Sequence, residues 1–158
     1  TLSSSSAASD VYKRQAMLLA FVALIAMMDS LIMWVSMNHL TLPMILSWIF
    51  TPIAFFLGIP FSDLTVAGTL IGKKIVFNEF IAYLDLSKIT SELNPRTSII
   101  LSYALCGFAN FSSIAIQIGG IGPLIPGRKK ELAEFGIRSV IGGSLAAFIT
   151  ASIAGLLI

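Results

Sequence analysis

The feature that most constrains the fold is an apolar run at residues 16–37, which reads AMLLAFVALIAMMDSLIMWVSM. A helix of this length spans roughly 33 Å at about 1.5 Å per residue, enough to cross the hydrocarbon core of a bilayer. Its one charged residue, Asp29, would cost about 2.5–3.5 kcal/mol at mid-bilayer facing lipid. Because Asp29 lies near the far end of the run, we expect it to reach the membrane interface. The run predicts a membrane-spanning helix.

The composition of the whole chain also indicates a protein embedded in a lipid bilayer. Hydrophobic residues make up 56% of the chain and charged residues only 11%, whereas ordinary soluble domains carry roughly 25% charged residues. The net charge of +2 and the lack of a basic stripe argue against nucleic-acid binding. One cysteine and one histidine exclude an internal disulfide and a multi-histidine or cysteine metal site. We expect an all-α integral membrane protein with no resident metal or cofactor.

Two segments near the start depart from a simple spanning pattern. Residues 1–15 are Ser-rich and polar, and they predict a disordered or non-native N-terminal segment. Residues 41–58 are apolar but are broken by Pro43 and Pro52, and they contain Trp48. Proline kinks a helix interior and tryptophan favours the membrane interface, so these residues predict an interfacial helix.

The remaining apolar segments predict two irregular elements and one regular span. Residues 61–86 hold two apolar pieces of about a dozen residues around a polar centre, each too short to span, which predicts a re-entrant helical hairpin. Residues 98–122 are long enough to span but are interrupted by GFANFSS, which predicts a discontinuous span. Residues 131–158 predict a final span, rich in the small residues that pack against protein. Gly68 and Gly72 form a small-xxx-small pair, which also predicts close helix packing.

Glu79, near the predicted tip of the hairpin, is the first candidate for a functional residue. An ionisable group at membrane depth is costly, so it must face a cavity or a partner. The alternative is that Glu79 pairs with Lys73 or Lys74 and only pins the tip. The residues by themselves leave both interpretations open.

A second candidate site lies at the predicted helix break. Asn110, Ser112 and Ser113 follow Gly107 there. Polar side chains at such breaks form the substrate sites of transporters built from discontinuous helices. The same side chains would also serve hydrogen bonds between helices, so this alternative stays open as well.

Three long strings resemble the C-terminal region of the concentrative nucleoside transporter family, whose members are coupled to sodium or protons. They are IGKKIVFNEFIAYLDLS at 71–87, ALCGFANFSSIAIQIGGIG at 104–122 and PGRKKELAEFGIRSVIGGSLAAFITASIAGLL at 126–157. Their order and spacing also fit, and the resemblance covers nearly all of residues 16–158. It implies nucleoside symport in the cell membrane by a multi-pass homotrimer, with this chain as a C-terminal fragment.

The resemblance also implies a division of the chain into parts. Residues 16–60 would form a scaffold-like span and an external interfacial helix. Residues 61–158 would form half of a mobile transport domain, made of the re-entrant hairpin, the broken helix and the final helix. The first hairpin and the broken fourth span of the family lie outside this sequence, which leaves sodium or proton coupling and purine or pyrimidine preference open.

Four residues fall on the family's substrate pocket. Glu79, Asn110 and Ser113 match positions that hold the ribose, and Phe108 matches an aromatic position that lines the same pocket. A carboxylate accepts charge-assisted hydrogen bonds from sugar hydroxyls, and an asparagine both donates and accepts. A free nucleobase would leave these groups unpaired, which predicts its rejection.

Two other classes of function compete with transport. An intramembrane enzyme would need a catalytic pair, and the single histidine with no second intramembrane carboxylate near Glu79 argues against one. We therefore expect no enzyme. The alternative that remains is a small oligomeric membrane subunit with a structural role only, suggested by the small-residue packing faces.

The basic residues predict the orientation in the membrane. They cluster around the loop at residues 123–130: Arg128, Lys129, Lys130 and Arg138. Cytoplasmic loops carry an excess of lysine and arginine, so this loop should be cytoplasmic and residue 158 extracytoplasmic. In whole cells, Lys129→Cys should resist an impermeant thiol reagent added outside. Labelling from outside would reverse the topology.

Overall fold

The computed structural model describes residues 4–158, without the side chains of residues 4–10, 14, 126 and 129. This part of the chain contains seven α-helices, two short 3-10 turns and no strand. The helices are α1 Ser4–Val35, α2 Leu42–Phe56, α3 Leu64–Val76, α4 Glu79–Ile89, α5 Pro95–Ala104, α6 Phe111–Ile121 and α7 Lys129–Leu156. The expected all-α class is thus confirmed for the residues described.

The first helix starts earlier than the apolar run. Helix α1 begins at Ser4 and so includes residues 4–15 of the segment expected to be disordered or non-native, while residues 1–3 lie outside the described part. Helix propagation adds one hydrogen bond for each residue that it fixes, so a long apolar helix can extend into a neighbouring polar segment even where that segment is Ser-rich.

Two helices are long and apolar enough to cross a membrane by length and composition. They are Val11–Val35 within α1 and Lys130–Leu156 within α7. Helices α3 to α6 contain 13, 11, 10 and 11 residues, so none of these four reaches the length of a span. The irregular segments expected between residues 61 and 122 therefore consist of short helices.

The junction of α1 and α2 is fastened by Asp29. Its Oδ1 atom accepts a hydrogen bond of 2.6 Å from the backbone N–H of Leu42, the first residue of α2. Thr41 caps the same helix by accepting from the Met44 N–H at 3.4 Å. A helix start exposes N–H groups that need acceptors, and Asp29 supplies one of them. The expectation that Asp29 only reaches the interface was therefore incomplete.

Helix α2 packs against α3 at the predicted small-residue pair. A Cβ atom at Gly68 would lie 2.8 Å from the backbone oxygen of Ser47, and one at Gly72 would lie 2.6 Å from Leu46 Cβ. Neither position has room for a side chain, so the prediction of close helix packing is confirmed. The same contact fixes the direction in which α3 approaches α4.

The core lies where α3, α5 and α7 meet. Its fully enclosed apolar residues are Ala54, Ala67, Ile71, Ala82, Ile100, Leu101, Ala104, Leu105 and Ala151. Asp63, just before α3, accepts a hydrogen bond of 3.0 Å from the Asn94 N–H, just before α5. This bond holds the starts of α3 and α5 together, and it thereby helps to fix the position of one helix relative to the other.

The hydrogen bond of Asp29 to the Leu42 N–H should contribute to the folding stability of the protein. Asp29→Ala removes the acceptor for the Leu42 N–H and should cost about 1–2 kcal/mol, because it leaves a helix-start donor unpaired. Thermal unfolding of the purified protein in detergent measures this. Ser30→Ala is the matched control, since the Ser30 hydroxyl bonds only to Ala26 O within α1. Equal melting temperatures for the two variants would contradict the capping role.

Candidate functional site

Two helix interruptions end in the same kind of cap. Asn78 precedes α4 and its Oδ1 accepts from the Ile81 N–H at 2.9 Å. Asn110 precedes α6 and its Oδ1 accepts from the Ser113 N–H at 2.8 Å. Asparagine is a preferred residue at this position because its side-chain oxygen replaces a missing helical acceptor. Each interruption thus presents a capped helix N-terminus.

The two interruptions are joined by one hydrogen bond. The Asn110 Nδ2 atom donates to Glu79 Oε2 at 3.0 Å, across 31 residues of sequence. Glu79 is the first residue of α4, where the positive end of the helix dipole favours a negative charge. The structure therefore places two of the predicted site residues in direct contact.

Asn110 is itself held rigidly. It is 1% exposed, and its Oδ1 atom also accepts from the hydroxyls of Ser113 at 2.7 Å and Ser112 at 2.8 Å. Three donors on one oxygen determine which way the amide points, so its nitrogen must face Glu79. Ser113, the third predicted site residue, belongs to the same network.

The lysines near the interruption do not pair with Glu79. Lys73 Nζ donates to Asp85 Oδ2 at 2.7 Å, which ties α3 to α4. Lys74 is completely buried, and its Nζ atom makes no hydrogen bond to any residue that the structure describes. The interpretation in which Glu79 pins the tip through either lysine is therefore not supported. The hydrogen bond to Asn110 does serve contact between helices, the alternative raised for that residue.

Phe108 lies within the break between α5 and α6, two residues before Asn110. It is 81% exposed, and the backbone turns beside it at Gly107, whose φ of 111° favours glycine. Phe108 and Ser113 border a cavity of about 680 Å³ between α6 and α7. The cavity is completed by Ala109, Ile114, Ile116, Gln117, Leu132, Phe135, Gly136, Ser139, Val140 and Gly143.

Glu79 and Asn110 do not border this cavity, and Ser113 connects the two parts of the site. Sequence reasoning did not name Gln117 or Ser139, the other polar side chains of the wall. Gln117 follows Ser113 by four residues and so shares its helix face, a spacing that would have found it. Among the described residues, no group of three His, Cys, Asp or Glu side chains is arranged to hold a metal ion.

Known proteins share this chain's sequence and fold. The family model described as Na+ dependent nucleoside transporter C-terminus matches residues 4–155. The uncharacterized transporter YutK of Bacillus subtilis (strain 168) is 45% identical over 147 residues, which cover 90% of this chain and 36% of that protein. The nucleoside permease NupC of Helicobacter pylori is 42% identical over 152 residues, which cover 90% of this chain and 36% of the permease.

A solved structure gives the same result for the fold. A variant of CNTnw in an intermediate state superposes with a TM-score of 0.85 at 44% identity, over 97% of this chain and 40% of that one. The chain spans little more than a third of the length of the two curated relatives. With a family match over nearly all of its residues, this chain belongs to the sodium-dependent nucleoside transporter family and corresponds to the C-terminal region of its members.

Proposed function

We propose that the protein containing this chain carries nucleosides across the cell membrane by symport with sodium or protons, and that this chain forms its ribose-binding side. The observation that carries the proposal is the hydrogen bond between Glu79 and Asn110, which links two capped helix starts. A charged and an amide side chain at adjoining helix breaks form the kind of site that discontinuous helices offer a polar solute. Family membership supports transport rather than enzymatic chemistry.

The architecture we propose follows from helix lengths. Helices α3 and α4 form the re-entrant hairpin, since each is too short to span and the Lys73–Asp85 ion pair fastens one to the other. Helices α5 and α6 form the discontinuous span, interrupted by residues 105–110. Residues 61–158 would be the transport-domain half.

Helices α1 and α2, within residues 16–60, would belong to the scaffold of a homotrimer. Large apolar side chains of α1 stay exposed in the single chain, among them Leu31, Trp34 and Val35. Lipid or the other subunits would cover such a surface in the membrane.

The binding step uses groups that the structure leaves available. Glu79 Oε2 is taken by Asn110, whereas Oε1 accepts no hydrogen bond from the described residues. A sugar hydroxyl can donate to Oε1, and the charge makes this bond roughly twice as strong as a neutral one. Ser113 adds a hydroxyl beside the same amide.

Phe108 completes the proposed pocket from the other side of the break. Its exposed ring offers an apolar face to the rest of the nucleoside. A purely structural subunit would have no use for the free Oε1 atom of Glu79 or for this exposed ring. Both features therefore favour a binding site over the structural alternative.

A first experiment tests the charge of Glu79 in the full-length protein. Glu79→Gln keeps the size of the side chain but turns two charge-assisted bonds, which ribose hydroxyls would donate to Oε1, into neutral ones. Losing about 1 kcal/mol for each bond gives roughly 10- to 30-fold weaker uridine binding, with membrane insertion intact. Uridine affinity and uptake measure the effect, and Glu92→Gln, in the exposed loop after α4, is the control.

Two results of that experiment would remove Glu79 from the site. One is normal uridine affinity in Glu79→Gln. The other is restored uptake when Glu79→Lys is combined with Lys74→Glu. In that double variant the ribose has no acceptor at position 79, so uptake could return only if Glu79 does not bind the ribose. We expect this double variant to be inactive.

A second experiment tests the proposed contact of α7 with the break. A Cβ atom at Gly143 would lie 2.9 Å from Ala109 Cβ, whereas one at Gly142 would meet nothing within 4 Å. Gly143→Val should therefore push α7 away from residues 108–110 and cost about 1–3 kcal/mol, with reduced uridine uptake. Gly142→Val is the matched control and should keep uptake near wild type. Equal behaviour of the two variants would show that α7 does not support the site.

A further inference from the structure

Lys74 is buried in a way that its neighbours do not explain. Its side chain is 0% exposed, and its Nζ atom has no hydrogen-bond partner in the described part of the chain. Lysines normally keep the ammonium in water, since an unpaired buried charge is costly. The adjacent Lys73 already fastens α3 to α4 through Asp85 and stays partly exposed. Closing the hairpin therefore does not require a second, buried lysine.

The surroundings of Lys74 limit what can balance its charge. Its Nζ atom lies 5.9 Å from the centre of the Phe148 ring, near the outer limit of a cation–π contact. The hydroxyl of Ser144, one turn earlier on α7, is also buried without a partner. Burial disfavours the Lys74 ammonium most, and the groups whose charge favours it are the Glu79 carboxylate and, second, the Cys106 thiol. Because this chain encloses Lys74 completely, no outside group reaches it while these walls stay in place.

We infer that Lys74 is the internal counter-cation of Glu79 and acts as a positioning residue that holds this carboxylate in the ribose site without touching the substrate. The inference rests on the proposed function. Charges attract over longer distances in a protein interior than in water, so the two groups need no direct contact. A direct ion pair would occupy the oxygen that a sugar hydroxyl needs. Separation leaves Glu79 Oε1 available and still compensates the charge.

The counter-cation also suits a neutral substrate. A nucleoside brings no charge of its own, so it cannot balance a carboxylate at membrane depth. Lys74 on α3 and Glu79 on α4 lie on either side of the same interruption, so an ammonium at position 74 would balance the carboxylate at position 79. The carboxylate can then remain an acceptor whether or not the sugar is bound.

The test is Lys74→Met in the full-length protein, with two ligands that differ at the sugar. Affinity for uridine should fall about tenfold, whereas affinity for 2′,3′-dideoxyuridine, which lacks the ring hydroxyls, should change less than about twofold. Methionine is an apolar side chain of similar length, so it should fill the space of the buried lysine while removing only the charge. Lys73→Met makes the same chemical change at the neighbouring position and should leave the ratio of the two affinities unchanged.

Several outcomes would overturn the inference. Equal losses for both ligands would make Lys74 a packing residue, and an unchanged uridine affinity would give it no role in binding. In a Glu79→Gln background, Lys74→Met should add little, because its target charge is gone. Loss of affinity in Glu79→Gln but not in Lys74→Met defeats this inference alone. Normal affinity in Glu79→Gln defeats the proposed function itself.

Discussion

The Asn110 side chain caps the start of α6 and links it to the start of α4. Its oxygen accepts from the start of α6 and from two serine hydroxyls, and its nitrogen donates to Glu79 at the start of α4. Backbone groups freed by a helix break find no partners in lipid, so protein must supply them. One buried amide thus stabilises the local break and also sets the distance between two elements. The position of Glu79 depends on that link.

The charged side chains on α3 and α4 differ in how far they are buried in the protein. Lys73 and Asp85 form an ion pair that is partly exposed, while Lys74 and Glu79 lie next to the interruption without pairing directly. A partly exposed pair can be screened by water, but a buried ammonium depends on the protein for compensation. The Lys73–Asp85 pair holds α3 to α4, and the proposed site uses the two charges that this pair does not involve.

Much of this arrangement could be predicted from the sequence, because the constraints are local. Apolar lengths indicated which helices are long enough to span a membrane, and the strings around Glu79 and Asn110 indicated the candidate site. The contact between these two residues could not be predicted, since it joins positions 31 residues apart through the packing of α3, α5 and α7. The lysines were ambiguous for the same reason, because adjacent residues of a helix point about 100° apart and only the tertiary fold decides which one is buried.

In the N-terminal part, composition and position in the sequence did not predict the local structure. Polar composition at residues 4–15 suggested disorder, yet the helix continues through them. Asp29 was judged by its distance from the end of the apolar run, whereas its partner, the Leu42 N–H, lies beyond a reversal of the chain. The amino-acid composition of a segment does not specify the path that the backbone takes in the folded protein. Contacts that depend on that path emerge only from the folded chain.

The central claim is that Glu79 and Asn110 together hold the sugar of a nucleoside. A structure of the full-length protein with bound uridine tests it most directly. We expect a ribose hydroxyl within hydrogen-bond distance of the Glu79 carboxylate, with the Asn110 amide still directed at the same group and Lys74 enclosed behind it. Uridine bound elsewhere, with no sugar oxygen near Glu79, would contradict the account.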